Sequence, residues 1–151
     1  YYVCSLKKGQ RLSVEVEAAA FAAERASRRQ VATIRAAWQS IETALKRGEG
    51  AVAEDFAFHR AIAEATGNSQ FPRFLAYLGS HVIPRQSVRL SVDTPAERRT
   101  YLARIQHEHS RIVAAISDGD VTEAQRAMRE HLARSLDRYR ALARGKKNGR
   151  R

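Results

Sequence analysis

"EDFAFHRAIAEATGN", residues 54–68, sets a carboxylate, Asp55, and an imidazole, His59, four residues apart in an Ala-rich apolar run. Its apolar residues recur at helical rather than alternating spacing, and Gly67-Asn68 supplies a pair suited to left-handed backbone just past a helix end. Positions i and i+4 of a helix share a face, with side chains about 6 Å apart. A helix composed for burial therefore carries an acid and a histidine one turn apart, and both lose hydration that the fold must replace.

Helical spacing extends in both directions from this stretch. A first segment, about 11–26, repeats Val14, Ala18, Phe21, Ala22 and Arg25. Ser27 with Gln30 three residues on is a capping box, opening a second segment, about 28–46, which Gly48 and Gly50 end. The third segment, about 51–66, contains Asp55 and His59. A fourth, about 70–90, has Pro72 in its first turn and Pro84 in its interior, where the ring should kink or break it. Thr94 as N-cap, Pro95 at the first helical position and Glu97 as box partner open a fifth segment reaching about Ser117. Asp120 and Glu123 repeat the cap logic for a sixth, about 121–143. Only "YYVC" at the start has strand composition, and it is too short to matter alone. The fold class that follows is all-α, an antiparallel bundle of six to seven helices, since short turns make successive helices neighbours.

Composition agrees. A chain of 151 residues suits one domain, burying roughly two-thirds of the surface its unfolded form exposes. Apolar residues make up 44% and charged residues 28%, far from the signature of disorder. Cys4 is the single cysteine, so no disulfide framework exists and a reducing cytoplasm is the expected location. No apolar run approaches 18 residues and no basic-then-apolar leader is present, so neither a membrane span nor a signal peptide is expected. The net charge of +11 raises nucleic acid as a partner. Most of that charge is spread along helices without interleaved aromatics, which reads as solvated arginine stems rather than a stacking surface. One cluster, "RGKKNGRR" at 144–151, is expected to be a disordered tail and carries no assigned function.

Sorting the histidines by helix face brings out the candidate site. Segment five has an apolar stripe of Leu102, Ile105, His109, Ile112 and Ile116; segment six has Val121, Ala124, Met128, His131, Ser135 and Tyr139. His109 and His131 lie inside these stripes, as His59 does in segment three beside Asp55, Ile62 and Thr66. A lone histidine on such a stripe is usually a hydrogen-bonded core residue. Three of them with an aspartate are better explained by a divalent cation, for which Asp oxygen and neutral His nitrogen are standard ligands. His107 falls on a polar face and reads as surface, while His81, ahead of Pro84, is ambiguous.

These residues carry a family resemblance. "DFAFHRAIAEATGN" resembles D-x-x-F-H-x-x-[IL]-x-x-A-x-G-N, and "EHSRIVAAISDGDVTEAQRAMREHL" is similar to H-x-x-I-x-x-A-I-x-x-G-D-x-x-x-A-x-x-x-M-x-x-H-L. "RLSVEVEAAAFAAERAS" resembles R-x-x-L-E-x-x-A-A-x-L-A-A-x-R, with Val14 and Phe21 in place of Leu. All three, in order, are those of the FCD effector-binding domain of FadR-type regulators in the GntR superfamily. The resemblance covers about residues 11–142. It implies a divalent metal (zinc, nickel or manganese) on Asp55, His59, His109 and His131, with a small carboxylate effector in or beside its open positions. Arg11, opening the first motif, is the first candidate for holding that carboxylate. Asn68 either caps segment three or reaches the ligand, and Arg85 and Arg89, a turn apart after Pro84, are further candidates.

The resemblance also implies a homodimer joined through segments one and four. DNA would be contacted only through a winged helix-turn-helix domain missing from this chain, whose last wing strand "YYV" resembles. Residues 1–10 then read as a linker remnant, 11–143 as the metal-dependent effector-binding domain. No catalytic residue is assigned. The rival reading is a hydrolase-like metalloenzyme activating water at an open metal position. Against it, no further Glu, His or Lys sits at an obvious position for a general base. A basic module binding nucleic acid by charge alone is the remaining alternative.

Overall fold

The structure is a computed structural model. It describes the backbone of residues 2–48, 51–82 and 95–148, and side chains over 11–48, 51–79 and 95–138, residue 98 excepted. Six helices make up these residues: α1 Tyr2–Arg25, α2 Arg28–Lys46, α3 Val52–Glu64, α4 Gln70–Val82, α5 Pro95–Asp118 and α6 Val121–Asn148. Among the described residues there is no strand, and no helix is long and apolar enough to cross a membrane. The all-α bundle read from the sequence is the fold.

Local chemistry sets most boundaries. Ser27 and Gln30 form both halves of the capping box at the start of α2. Gly67 (φ 73°) and Gly119 (φ 69°) take left-handed backbone after α3 and α5, a conformation that would strain any residue with a Cβ. Asp120 Oδ1 accepts from the Glu123 amide at 2.9 Å and so caps α6. Pro95 opens α5, as its fixed φ favours. Thr94, Pro84 and the expected far part of segment four fall outside the described residues.

Two boundaries depart from expectation. Residues 2–10, expected as a linker remnant, are helical and continuous with α1, even with Gly9 costing about 1 kcal/mol against Ala. At the other end α6 runs to Asn148, through much of the basic tail expected to be disordered. Lys146 and Lys147 are good helix formers, and cations suit the negative end of the helix dipole.

Helix α1 packs on α6, α5, α3 and α4, α2 on α3 and α5, α3 on α4, and α5 on α6. Phe58, Ile34, Ile62, Ile112 and Met128 are the largest apolar side chains wholly inside, each stabilising the fold by roughly 1.5–3 kcal/mol relative to exposure. The buried line of α1 is Glu15, Val16, Ala18, Ala19, Ala20 and Ala22, whereas Val14 and Phe21 are half-buried and Arg25 is exposed. Of the stripe expected through Val14, Ala18, Phe21, Ala22 and Arg25, Ala18 and Ala22 are thus inside, while Val14, Phe21 and Arg25 lie toward the margin. Alanines admit the close approach of other helices, while Phe21 packs edge-to-face on Phe71 at the margin, with the Arg25 guanidinium 4.2 Å from its ring centre. Gly79 of α4 leaves room for the Phe56 ring, which a Cβ there would meet at 2.7 Å. That close contact seats α3, the helix of Asp55 and His59, against α4.

Candidate metal centre

Helices α3, α5 and α6 each place one imidazole at a common point inside the bundle. His59, His109 and His131 are buried, and each offers a ring nitrogen within 4.8 Å of the other two. His109 Nε2 and His131 Nε2 lie 3.3 Å apart. Asp55 Oδ1 joins the tight histidine cluster from one side, 3.4 Å from His109 Nε2 and 4.0 Å from His59 Nε2. Ligands bound to one ion at about 2.1 Å stand roughly 3.0–3.4 Å apart in tetrahedral or octahedral arrangement, so these separations suit chelation with little rearrangement. The Asp55 side chain is 25% exposed while those of His59 and His109 are fully buried, so the aspartate is on the side of the cluster nearer solvent.

The far nitrogen of every ring meets an oxygen. His59 Nδ1 is in contact with the Glu15 carboxylate, which the Arg11 guanidinium also holds. His131 Nδ1 lies 2.9 Å from Glu108 Oε2, and Arg138 grips both oxygens of Glu108 at 3.0 and 3.1 Å. His109 Nδ1 lies 3.2 Å from Gln106 Oε1. Outer partners of this kind orient metal-ligating histidines and raise their basicity. An ionised carboxylate has no proton to give, so Nδ1 is the donor in His131 and its Nε2 lone pair faces inward. Both ring nitrogens of His59 are buried without a hydrogen bond, Nδ1 touching Glu15 as an ion pair, and an inward nitrogen left in this way is of the sort a cation satisfies. Phe58 walls the rings on one side, its centroid 5.4 Å from that of His59 and 4.8 Å from that of His109.

Protonation states agree with ligation. Burial alone would raise the Glu15 carboxyl, but Arg11 and His59 outweigh it and hold it at about 2. Glu108 is likewise held at about 2, burial being outweighed by the bonds from His131 and Arg138. Burial, and then the neighbouring His131, push His109 down to about 3, and burial lowers His131 as well. Two buried carboxylates are thus ionised, while His109 and His131 are neutral at physiological pH, the form in which imidazole binds metals. Burial would lower the Arg11 guanidinium, but Glu15, and then Asp55, hold it above its ordinary value, so it stays a cation.

The structure therefore brings Asp55, His59, His109 and His131 together, with Arg11 behind them. Asn68 is exposed, its Oδ1 accepting from the Gln70 amide at 3.0 Å and its own amide donating to Thr66 Oγ1 at 3.1 Å, both within the α3–α4 turn. Arg85 and Arg89 lie outside the described residues, as does the side chain of His81. His107 is exposed, as its polar face implied. Glu15, Gln106, Glu108 and Arg138 are parts of the centre that the sequence reading missed. Glu15 had a signal, a carboxylate one turn after Arg11 amid alanines, at the Glu of the R-x-x-L-E motif. The other three lie off the apolar stripes and gave none.

Comparison with known proteins decides the family: residues 10–134 match the FCD domain. The chain belongs to the FCD domain family. The match bears out the resemblance drawn from the three motifs. It places the chain with the ligand-sensing regulatory domains of GntR-type regulators rather than with enzymes. The HTH-type transcriptional regulator LutR of Bacillus subtilis (strain 168) is 27% identical over 126 residues, 82% of this chain and 56% of that regulator. This FCD chain thus spans little more than half the length of that relative.

Proposed function

We propose that this FCD domain senses a small carboxylate through a divalent ion held by Asp55, His59, His109 and His131, and controls DNA binding by another part of a dimeric regulator. The observation that carries the reading is the inward convergence of ring nitrogens whose outward nitrogens are all occupied by Glu15, Gln106 and Glu108. A buried histidine needs a polar partner in any core, and here the partners stand on the outward side of each ring, which leaves the inward nitrogens for a ligand. Zinc, nickel and manganese all accept this ligand set, and availability would decide among them. When bound, the ion supplies a Lewis-acidic position for the effector's oxygen.

The chain's own residues do the rest. Asp55 stands on the side nearer solvent, Phe58 excludes water from the closed side, and Arg11 keeps its charge within reach of Asp55. An incoming carboxylate would be met by the ion, with Arg11 the candidate cation for a second contact. Effector binding would then shift α1 and α3 relative to α5 and α6, and the dimer would pass the shift to the DNA-binding domains. Such coupling requires different effector affinities in the two states, typically worth about 1–3 kcal/mol.

Thermal unfolding of the purified chain with and without chelator tests the metal. The midpoint should fall on chelation in the wild type and be insensitive to chelator in His109→Ala; a wild type indifferent to chelator sinks the reading. A thermal-shift screen of organic acids then tests the effector, since a bound ligand raises the midpoint by mass action and Arg11→Ala should abolish the rise.

A further inference from the structure

Gln106 stands one turn before His109 on α5 and touches two things. Its Oε1 is 3.2 Å from His109 Nδ1, and its Nε2 donates to the main-chain carbonyl of Trp38 on α2 at 3.3 Å. A carbonyl oxygen can only accept, so the amide of Gln106 must turn its NH2 to α2 and its oxygen to the imidazole. That oxygen also only accepts. His109 must therefore carry its proton on Nδ1, leaving Nε2 as a lone pair aimed at the centre. There His131 Nε2 at 3.3 Å and Asp55 Oδ1 at 3.4 Å are acceptors too, and a cation is what would join the three.

The alternative is specific and blocks the site. With the amide reversed, His109 Nδ1 would accept and Nε2 would carry the proton. At 3.3 Å from His131 Nε2, that proton would close a histidine–histidine hydrogen bond across the space a cation needs. The reversed amide would also set its oxygen against the Trp38 carbonyl, two acceptors at hydrogen-bond distance with no proton between them. Glu15 and Glu108 fix His59 and His131 by charge, whereas His109 has only a neutral amide behind it.

We infer that Gln106 is the positioning residue that holds His109 in the metal-competent tautomer, and that the Trp38 carbonyl of α2 dictates its orientation. The inference rests on the metal reading above for its purpose, though not for its geometry. Helix α2 supplies no ligand, yet through this amide it sets the state of one on α5. A displacement of the Trp38 turn releases the amide and lets the two histidines close on each other.

Two readouts test it. Long-range 1H–15N correlation spectra of the metal-free wild type report which nitrogen of His109 is protonated, and zinc titration of the same chain reports affinity. The wild type should carry the proton on Nδ1. Gln106→Leu should move it to Nε2 and weaken zinc by about 10–100-fold, the usual effect of losing an outer partner. Gln106→Glu keeps an acceptor for Nδ1–H whichever way it turns, so it should retain the wild-type tautomer and near wild-type zinc affinity even as its other oxygen, with no proton for the Trp38 carbonyl, swings off α2. If Gln106→Leu does not fold, the wild type and Gln106→Glu decide the matter. Nε2 protonation in the wild type, or an unchanged tautomer and affinity in Gln106→Leu, overturns the proposal. Failure of the metal reading looks different: the wild type takes up no zinc, while its His109 tautomer still judges Gln106.

Discussion

Two ion-pair systems tie α5 to α6, with nearly equal bond lengths and unequal consequences. On the inner side Glu108 joins His131 and Arg138 at 2.9–3.1 Å. On the outer side Arg111 joins Glu123 at 3.0 Å and Glu130 at 2.8 Å, and Arg126 also reaches Glu123. Distance does not rank them. The outer groups remain hydrated, so breaking a pair returns both charges to water. The inner carboxylate is only 6% exposed, and Glu15 on α1, between Arg11 and His59, is 3% exposed. Removing one member there strands another charge or donor without solvent. Ordered charge is stabilising in both places, but only in the inner one does it fix the orientation of a possible ligand.

The largest effect that separates the two systems is expected at Glu15. Glu15→Ala leaves His59 Nδ1 and Arg11 without their shared acceptor, and should cost about 3–5 kcal/mol by denaturant unfolding. A loss below about 1 kcal/mol would show the inner pair to be no different from a surface one.

Acid should reveal the next largest contrast. His109 titrates at about 3 in the fold against an ordinary 6.5, and Glu15 and Glu108 at about 2 against 4.5. Between those limits the unfolded chain binds more protons than the folded one, so stability rises with pH there and falls on acidification. In chelator, the loss should begin as pH drops below about 6.5 through His109 and His131, at about 1.4 kcal/mol per pH unit for each proton, and steepen below about 4.5 as Glu15 and Glu108 join. Denaturant midpoints from pH 7.5 down to 4 check this, and a flat profile would contradict the assigned states.

Glu108→Gln should come third, at about 1–3 kcal/mol. Its side chain still offers an oxygen to His131, but an amide NH2 then confronts Arg138. Metal affinity should fall with stability here, since the same residue orients His131. Glu123→Gln, at the outer system, should give the smallest shift of the four, vanish in high salt and leave metal uptake unchanged. Measuring both variants at two ionic strengths puts the inner and outer systems on one scale.

The helix boundaries were legible where a short-range contact sets them, as at Ser27-Gln30, Gly67 and Asp120. The four converging groups were legible too, because His59, His109 and His131 interrupt apolar stripes and periodicity reports the face of a helix. Face is not reach. Gln106 and Glu108 are i−3 and i−1 from His109, outside its stripe. Glu108 serves a ring 23 residues away on α6, while Gln106 bridges to α2, a pairing that only the packed bundle creates. The stripe of α1 was right at Ala18 and Ala22 and off at Val14, Phe21 and Arg25, because there alanines line the close helix contacts and larger residues sit at the margin. The reach of α1 and α6 was underestimated because charge and a single glycine are weak helix breakers.

Central to the account is the claim that three buried imidazoles and Asp55 form one cation site. Equilibrium dialysis against zinc, nickel and manganese, followed by metal analysis of the wild type and of His131→Ala, addresses it directly. One divalent ion per chain in the wild type, and loss of that ion in the variant while helical content is kept, is the expected result. No stoichiometric uptake of any of the three metals, or equal uptake by both chains, would contradict it.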